Sequence, residues 1–261
     1  MQTEWLEWTG VQADQAVASR RIADDYAIKI ESGELEPGAR LPSERPLAES
    51  YGVARNTVKA AMRLLSEAGM VDIHHGKGVF VRTAEPLIRL GSDRYSRRHR
   101  GSSPFLLECE RAGKRGRFEV LSIGEVPAPA DVAARLQLDE GAPVLRRENV
   151  FWADEDPVYR VTTYIPWSIA EGTGLLEVDI PHSGGIHGIL EDQGYAMARL
   201  DDFATSRMAT RAEMAALRLG PGVPVLDLHH ISLRADEVPY ELTRFVMRGD
   251  MSALSYNVPV E

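Results

Sequence analysis

A single cysteine in 261 residues, Cys109, leaves nothing to build a disulfide framework or a multi-cysteine metal site. It reads as a small, partly buried residue in a reducing compartment. No apolar run approaches the length of a membrane span. Segment 1–8 is acidic and lacks the basic start and apolar stretch of a signal peptide. The expected location is therefore the cytoplasm, with no membrane partner. Internal repeats and low-complexity tracts are missing, as are a phosphate loop, metal-ligand spacing and a nucleophile–base pair, so no cofactor, no metal and no catalytic residue is expected. Positive charge is in the minority: 30 Lys and Arg face 39 Asp and Glu, a net charge of −9. That argues against a protein that coats nucleic acid non-specifically. It does not argue against one that reads DNA with a single basic face.

What is present is enough apolar material, 44% of the chain, for one large domain or two modest ones. Four parts are expected: a lead-in over 1–13, whose Trp5 and Trp8 dock on a domain; a first domain over 14–83; a linker over 84–104; and a second domain over 105–261. The linker is marked by Pro86, Gly91, Gly101, Ser102, Ser103 and Pro104 and carries Arg94, Arg97, Arg98, His99 and Arg100. In the first domain Ile22, Tyr26 and Ile30 recur every four residues, which predicts a helix over 16–32 stopped by Gly33. Ser43 and Glu44 suit the start of a second helix, which ends near Gly52. A third runs over 54–68. On it Val58, Ala61, Met62 and Leu65 point one way, and Arg55, Lys59 and Arg63 the other with Asn56 beside them. Strands over 70–74 and 79–82, joined by His75-Gly76-Lys77-Gly78, make a hairpin.

Three stretches, Leu41-Pro42-Ser43-Glu44-Arg45, Gly52-Val53-Ala54-Arg55-Asn56-Thr57-Val58-Lys59 and His75-Gly76-Lys77-Gly78-Val79-Phe80-Val81, closely resemble the DNA-binding domain of the GntR family, with Glu67-Ala68-Gly69-Met70-Val71 between them. The upstream pattern of Ile22-Ala23, Tyr26, Ile30, Gly33 and Pro37-Gly38 fits as well. The resemblance covers 20–82 without a gap. It implies a winged helix-turn-helix bound as a homodimer to a pseudo-palindromic operator in double-stranded DNA. It places Arg45, Arg55, Asn56, Thr57, Lys59, His75 and Gly76 at the DNA. The chemistry agrees: an arginine bonds guanine O6 and N7 together, and an asparagine does so for adenine N6 and N7. Three positions depart from the family pattern. Ala54 stands where a serine or threonine is usual, Asn56 where threonine is common, and Lys59 where arginine is common.

In the second domain, segments 144–152, 158–165, 223–233 and 240–247 are rich in valine, tyrosine, threonine and phenylalanine and read as strands. Helices are expected over 131–138, 186–193 and 210–217. The expected class is α+β. The order of Gly141-Ala142-Pro143-Val144, Thr163-Tyr164-Ile165-Pro166, Leu217-Arg218-Leu219-Gly220 and Val238-Pro239-Tyr240-Glu241 resembles the UTRA sensor domain of the HutC branch. That resemblance implies a chorismate-lyase-like fold, an antiparallel sheet flanked by helices, and a small-molecule effector. Two strand positions that hold arginines in phosphosugar-binding members carry Asn149 and Phe151 here, and a phosphate-contacting serine corresponds to Gly185. The expected effector residues are Arg147, Asn149, Tyr164, His187 and Glu241.

These features imply a metabolite-responsive repressor. A ligand-independent repressor whose second domain only dimerises is the alternative, and an enzyme with a chorismate-lyase-like domain is the third reading. The family's pyridoxal-phosphate branch needs a domain longer than the 157 residues available after the linker.

Overall fold

The computed structural model describes residues 3–74, 76–82, 86–91, 103–180, 182, 184–220 and 222–257; of residues 3–14 and Leu90 only the backbone is described. The chain divides into two compact units: Met1–Glu85 with Gly220–Val223, and Pro86–Leu219 with Pro224–Glu261.

The first unit is three helices and a hairpin. Helix α1 spans Thr3–Glu31, α2 Glu44–Tyr51 and α3 Arg55–Glu67, followed by β1 (Val71–His74) and β2 (Gly78–Val81). The expected apolar stripes meet in one core: Ile22 and Tyr26 of α1, Leu47 and Ala48 of α2, Val58, Ala61, Met62 and Leu65 of α3, and Val71 and Val81 of the hairpin. Gly52 ends α2 at φ +63, a left-handed turn that costs glycine little and that sets up the sharp entry into α3. The helix expected to begin near residue 16 begins at Thr3 instead. The segment taken as a lead-in thus continues the helix; it contains no proline, and its one glycine, Gly10, does not break it.

In the second unit come β3 (Leu87–Leu90), α4 (Pro104–Arg111), β4 (Gly116–Pro127), α5 (Ala130–Leu136), β5 (Pro143–Ala153), β6 (Asp156–Pro166), α6 (Trp167–Ala170), a 3-10 turn at Gly174–Leu176, α7 (Gly185–Asp192), β7 (Arg199–Met208), α8 (Arg211–Ala216), β8 (Pro224–Leu233), β9 (Pro239–Arg248) and β10 (Ser252–Ser255). Six strands form one antiparallel sheet in the order β4-β5-β6-β9-β8-β7, and β3 pairs with β10 in parallel. The class is α+β, with an antiparallel sheet flanked by helices.

One expected boundary needs correcting. Residues 87–90, expected in the linker, are a strand hydrogen-bonded to β10, and Leu87 is buried in a core with Phe105, Tyr159 and Phe245. The alternation of Leu87 and Arg89, both buried, with exposed Ile88 inverts the usual polarity of a strand, because Arg89 faces inward. The linker residues 92–102 lie outside the described residues. Cys109 is buried, and burial pushes its thiol up to about 11, so it is un-ionised and unreactive at neutral pH.

Candidate nucleic-acid interface and ligand site

The solvent face of α3 carries Arg55, Asn56, Lys59 and Arg63, all exposed, and the first three lie in the helix's N-terminal half where a groove-reading helix presents its side chains. Arg55 carries no ion pair among the described residues. Lys59 lies 3.9 Å from Glu44 at the start of α2, and Arg45 donates from Nε to Glu49 at 3.0 Å. Both pairs are more than two-fifths exposed on each side, so opening them for a phosphate costs about 0–1 kcal/mol each. Gly76 sits at the hairpin tip at φ +74, with open space where a Cβ would stand. His75 lies outside the described residues.

Thr57 departs from the expected contact set. It is 4% exposed, packed with Val58 on the inner side of α3. A side chain so withdrawn helps seat the helix rather than reach a phosphate.

Ala54 occupies the N-cap of α3 with extended dihedrals (φ −70, ψ 150), and no side chain caps the helix there. The backbone is already in the conformation that a capping serine needs. Ala54→Ser is therefore expected to stabilise the first unit by about 0.5–2 kcal/mol. Urea melts of the two proteins check this; an unchanged or lowered midpoint contradicts it.

The sheet of the second unit has two faces, because successive side chains alternate. Register puts Arg147 opposite Thr163, Thr163 opposite Thr243, Thr243 opposite His230, and Glu241 opposite Ser232. Arg147, Asn149, Glu241 and their neighbours therefore share one face, and His187 of α7 covers it, with Nδ1 3.4 Å from Glu241. Tyr164, paired with Arg146 and Leu242, lies on the other face. The expected grouping of Tyr164 with Arg147 and Glu241 is corrected by this one-residue offset.

Glu241 is 2% exposed and accepts from the Ser232 and Thr243 hydroxyls at 2.9 and 2.8 Å. Burial alone raises a carboxyl's pKa. Here the neighbouring His187 and His230 and those two hydroxyls outweigh it and hold Glu241 below its ordinary value. Arg147 is 4% exposed and donates to three backbone carbonyls, those of Leu175 (3.3 Å), Glu177 (2.5 Å) and Val178 (2.7 Å). It pins the loop after the 3-10 turn, so its cationic edge is already occupied. Burial also lowers its pKa. Asn149, 5% exposed, stands two residues further along the same face.

Sequence reasoning missed a second cluster on this face. Arg89 of β3 is 1% exposed and lies 4.1 Å above the Phe245 ring. His230 Nδ1 is 2.7 Å from Asp202 and 3.3 Å from Arg89 Nη2. A carboxylate only accepts, so that nitrogen carries the proton and donates to Asp202. Burial drives His230 down to about 4, leaving it neutral at pH 7. Tyr256 closes the chain of bonds by donating to Asp202. The available signal was the i, i+2 spacing of His230 with Ser232 and of Glu241 with Thr243, which marks polar stripes inside otherwise apolar strands.

The site of the second phosphosugar arginine is filled differently. Phe151 packs against Phe105 and Phe118, with ring centroids 4.9 and 4.6 Å apart. Gly185 has φ +64, which a side chain adopts only with strain. Among the described residues no group of three or more His, Cys, Asp or Glu is placed to hold a metal, and no helix is long and apolar enough to cross a membrane.

Residues 18–81 match the family model for bacterial regulatory proteins of the gntR family, and residues 111–252 match the UTRA domain. The chain belongs to the GntR family. This GntR regulator is 30% identical over 256 residues to an uncharacterized HTH-type transcriptional regulator of Streptomyces coelicolor, with 95% of each chain covered. It is 29% identical over 243 residues to the HTH-type transcriptional repressor PhnF of Mycolicibacterium smegmatis, covering 90% of this chain and 92% of that one. The crystal structure of that PhnF superposes with a TM-score of 0.58 at 24% identity, covering 92% of this chain and all (100%) of the other, which shows the shared fold. The chain is a DNA-binding transcriptional regulator with an effector-binding domain, and not an enzyme.

Proposed function

We propose that this regulator is a cytoplasmic homodimeric repressor of the HutC branch, with a DNA-binding head over residues 14–83 and a sensor that releases operator DNA when a small polar metabolite binds. Related proteins named as repressors, PhnF and the NagR of Bacillus subtilis, support the sign of regulation. The observation that carries the reading is the pairing of an exposed Arg55–Asn56 edge on α3 with a buried polar sheet face in a separate compact unit. Arg45, Arg55, Asn56, Lys59, His75 and Gly76 make up the DNA contact set. Asn149, His187 and Glu241 read the effector, and Arg147 holds the loop that covers it. Phe151 and Gly185 remove the features that grip a phosphate, so the effector is not a sugar phosphate.

A symmetric operator requires a two-fold protein. Sedimentation of the full chain at micromolar concentration should give a dimer. Anisotropy titrations with operator DNA should weaken steeply with added salt, as counterions are released. A metabolite that raises the melting temperature should release that DNA from wild type and fail to release it from Glu241→Gln. Salt-insensitive DNA binding or a monomer refutes the dimeric reader. Equal release from the variant moves the effector elsewhere.

A further inference from the structure

The opposite face of the sheet holds a cavity of about 230 Å³, many times the space one water needs. Its walls include Arg160, Thr162 and Tyr164 of β6, His229 of β8, Arg244 of β9 and Glu148 of β5. All lie on the face away from Glu241 and Asn149, so the effector site described above does not account for it.

Two polar atoms on these wall residues are buried without a hydrogen-bond partner among the described residues: Arg160 Nε and His229 Nδ1. Buried polar atoms left unsatisfied cost about 1–3 kcal/mol each, so they mark a place where something else completes the bonding. Their chemistry differs. The arginine nitrogen is always a donor and asks for an oxygen acceptor. On His229, Nε2 lies 3.4 Å from Asp227, which only accepts, so the ring proton sits there and Nδ1 offers a lone pair. Burial lowers the His229 pKa, which keeps that lone pair available at neutral pH. The second site therefore asks for a ligand hydroxyl that donates.

The local charge selects the acceptor. Glu148 faces two arginines, Arg160 at 3.2 Å and Arg146 at 3.6 Å, and also accepts from Ser122. Two cations against one carboxylate leave positive charge in excess around Glu148, and the Asp131 carboxylate of α5 also lines the cavity. On the other side Arg244 is matched by Asp227, and Glu213 by Arg207. Strands β6 and β8 are separated by β9, about 10 Å across the sheet, a span that two long side chains reduce to a few bonds.

We propose that this cavity binds a small hydroxy-carboxylate, its carboxylate on Arg160 and its hydroxyl on His229, with the Tyr164 and Thr162 hydroxyls beside it. Leu242, Arg244 and Val246 line it from β9, the strand whose alternate residues Glu241 and Thr243 form the other site, so the two sites share a strand.

The full-length protein is titrated calorimetrically with lactate, malate, tartrate and citrate, and with propionate, succinate and tricarballylate as matched acids without a hydroxyl. At least one hydroxy acid is expected to bind at millimolar or lower concentration, at least ten-fold more tightly than its matched acid. Arg160→Gln and His229→Phe should each weaken it ten-fold or more, and Glu241→Gln should leave it unchanged. Arg160→Lys keeps the ion pair with Glu148 but lacks the Nε donor, and it provides a folded variant should Arg160→Gln not fold; it too should lose binding. Absence of binding by every hydroxy acid, retention in folded Arg160→Lys, or loss in Glu241→Gln overturns the assignment. Loss in Glu241→Gln would instead place the acid in the effector site of the opposite face.

Discussion

Glu213→Ala is expected to destabilise the second unit by about 3–5 kcal/mol, the range for breaking a buried ion pair from one side. Glu213 stands at the third position of α8. There it accepts from the Thr210 backbone N–H at 2.8 Å while the Thr210 hydroxyl accepts from its own N–H, a reciprocal capping box. Its two oxygens also take both Arg207 terminal nitrogens, at 2.8 and 2.7 Å. Arg207 Nε and the Arg244 guanidinium converge on Asp227, whose side chain is 6% exposed. One helix end and three strands are thus tied by four charges. Removing the Glu213 side chain leaves Arg207 with Asp227 alone and takes away the half of the capping box that satisfies the Thr210 N–H, while the Thr210 hydroxyl still caps the helix.

The same network sets the acid limit of stability. Hydrogen bonds from Arg207 lead the causes that bring Glu213 down to about 2, and burial opposes them. At Asp227 burial acts upward and is outweighed by Arg244 and Arg207, which bring it to about 2 as well. Both folded-state values lie below the unfolded ones, so the stabilisation is complete above about pH 4.5 and lost as pH falls toward 2. For Glu213 it is roughly 3 kcal/mol. His230, depressed to about 4, adds a loss between pH 6.5 and 4 that the Glu213 variant retains. Denaturant melts at pH 7, 5 and 3 separate the two windows. A variant within 1 kcal/mol of wild type at pH 7, or one with an undiminished loss between pH 4.5 and 3, removes the network from this role.

The first unit was legible because its signals are local. A four-residue apolar spacing on α1 and the clean split of α3 into apolar and basic sides need no knowledge of distant residues, and both reappear in a single core. The central strands β5, β6, β8 and β9 were legible for a related reason, being buried on both faces and hence rich in β-branched and aromatic residues. The edge strands β4 and β7 were not found. Most of their residues are exposed or half-exposed, so no apolar alternation marks them. Nor was β3, whose partner lies more than 160 residues away. Register is likewise non-local, which is why Tyr164 was grouped with the wrong face. Arg147 read as a ligand-binding cation for the same reason: its partners are three carbonyls of a loop that no spacing brings near it.

Arg55→Ala is expected to weaken operator binding roughly five- to 150-fold, a loss of about 1–3 kcal/mol, and to relax preference at one base position in each half-site. Arg55 is the first residue of α3, exposed and without an ion pair among the described residues, so its guanidinium reaches a guanine edge without first breaking a bond. Lys59 and Arg45 differ, since each must leave a carboxylate, Glu44 and Glu49. Lys59→Ala should accordingly cost less, act evenly across sequences, and lower the slope of log affinity against log salt by about 1, as the loss of one phosphate contact requires. The contrast is what the experiment reads. Anisotropy titrations of both variants are run at two salt concentrations against the operator and a single-base series. Arg55→Ala should flatten the series at one position per half-site, and Lys59→Ala should shift every member alike. If Arg55→Ala keeps wild-type affinity and preference, α3 does not read the groove through its first turn. If Lys59→Ala instead changes base preference with the salt slope intact, Lys59 reads a base and the division of labour along α3 is reversed.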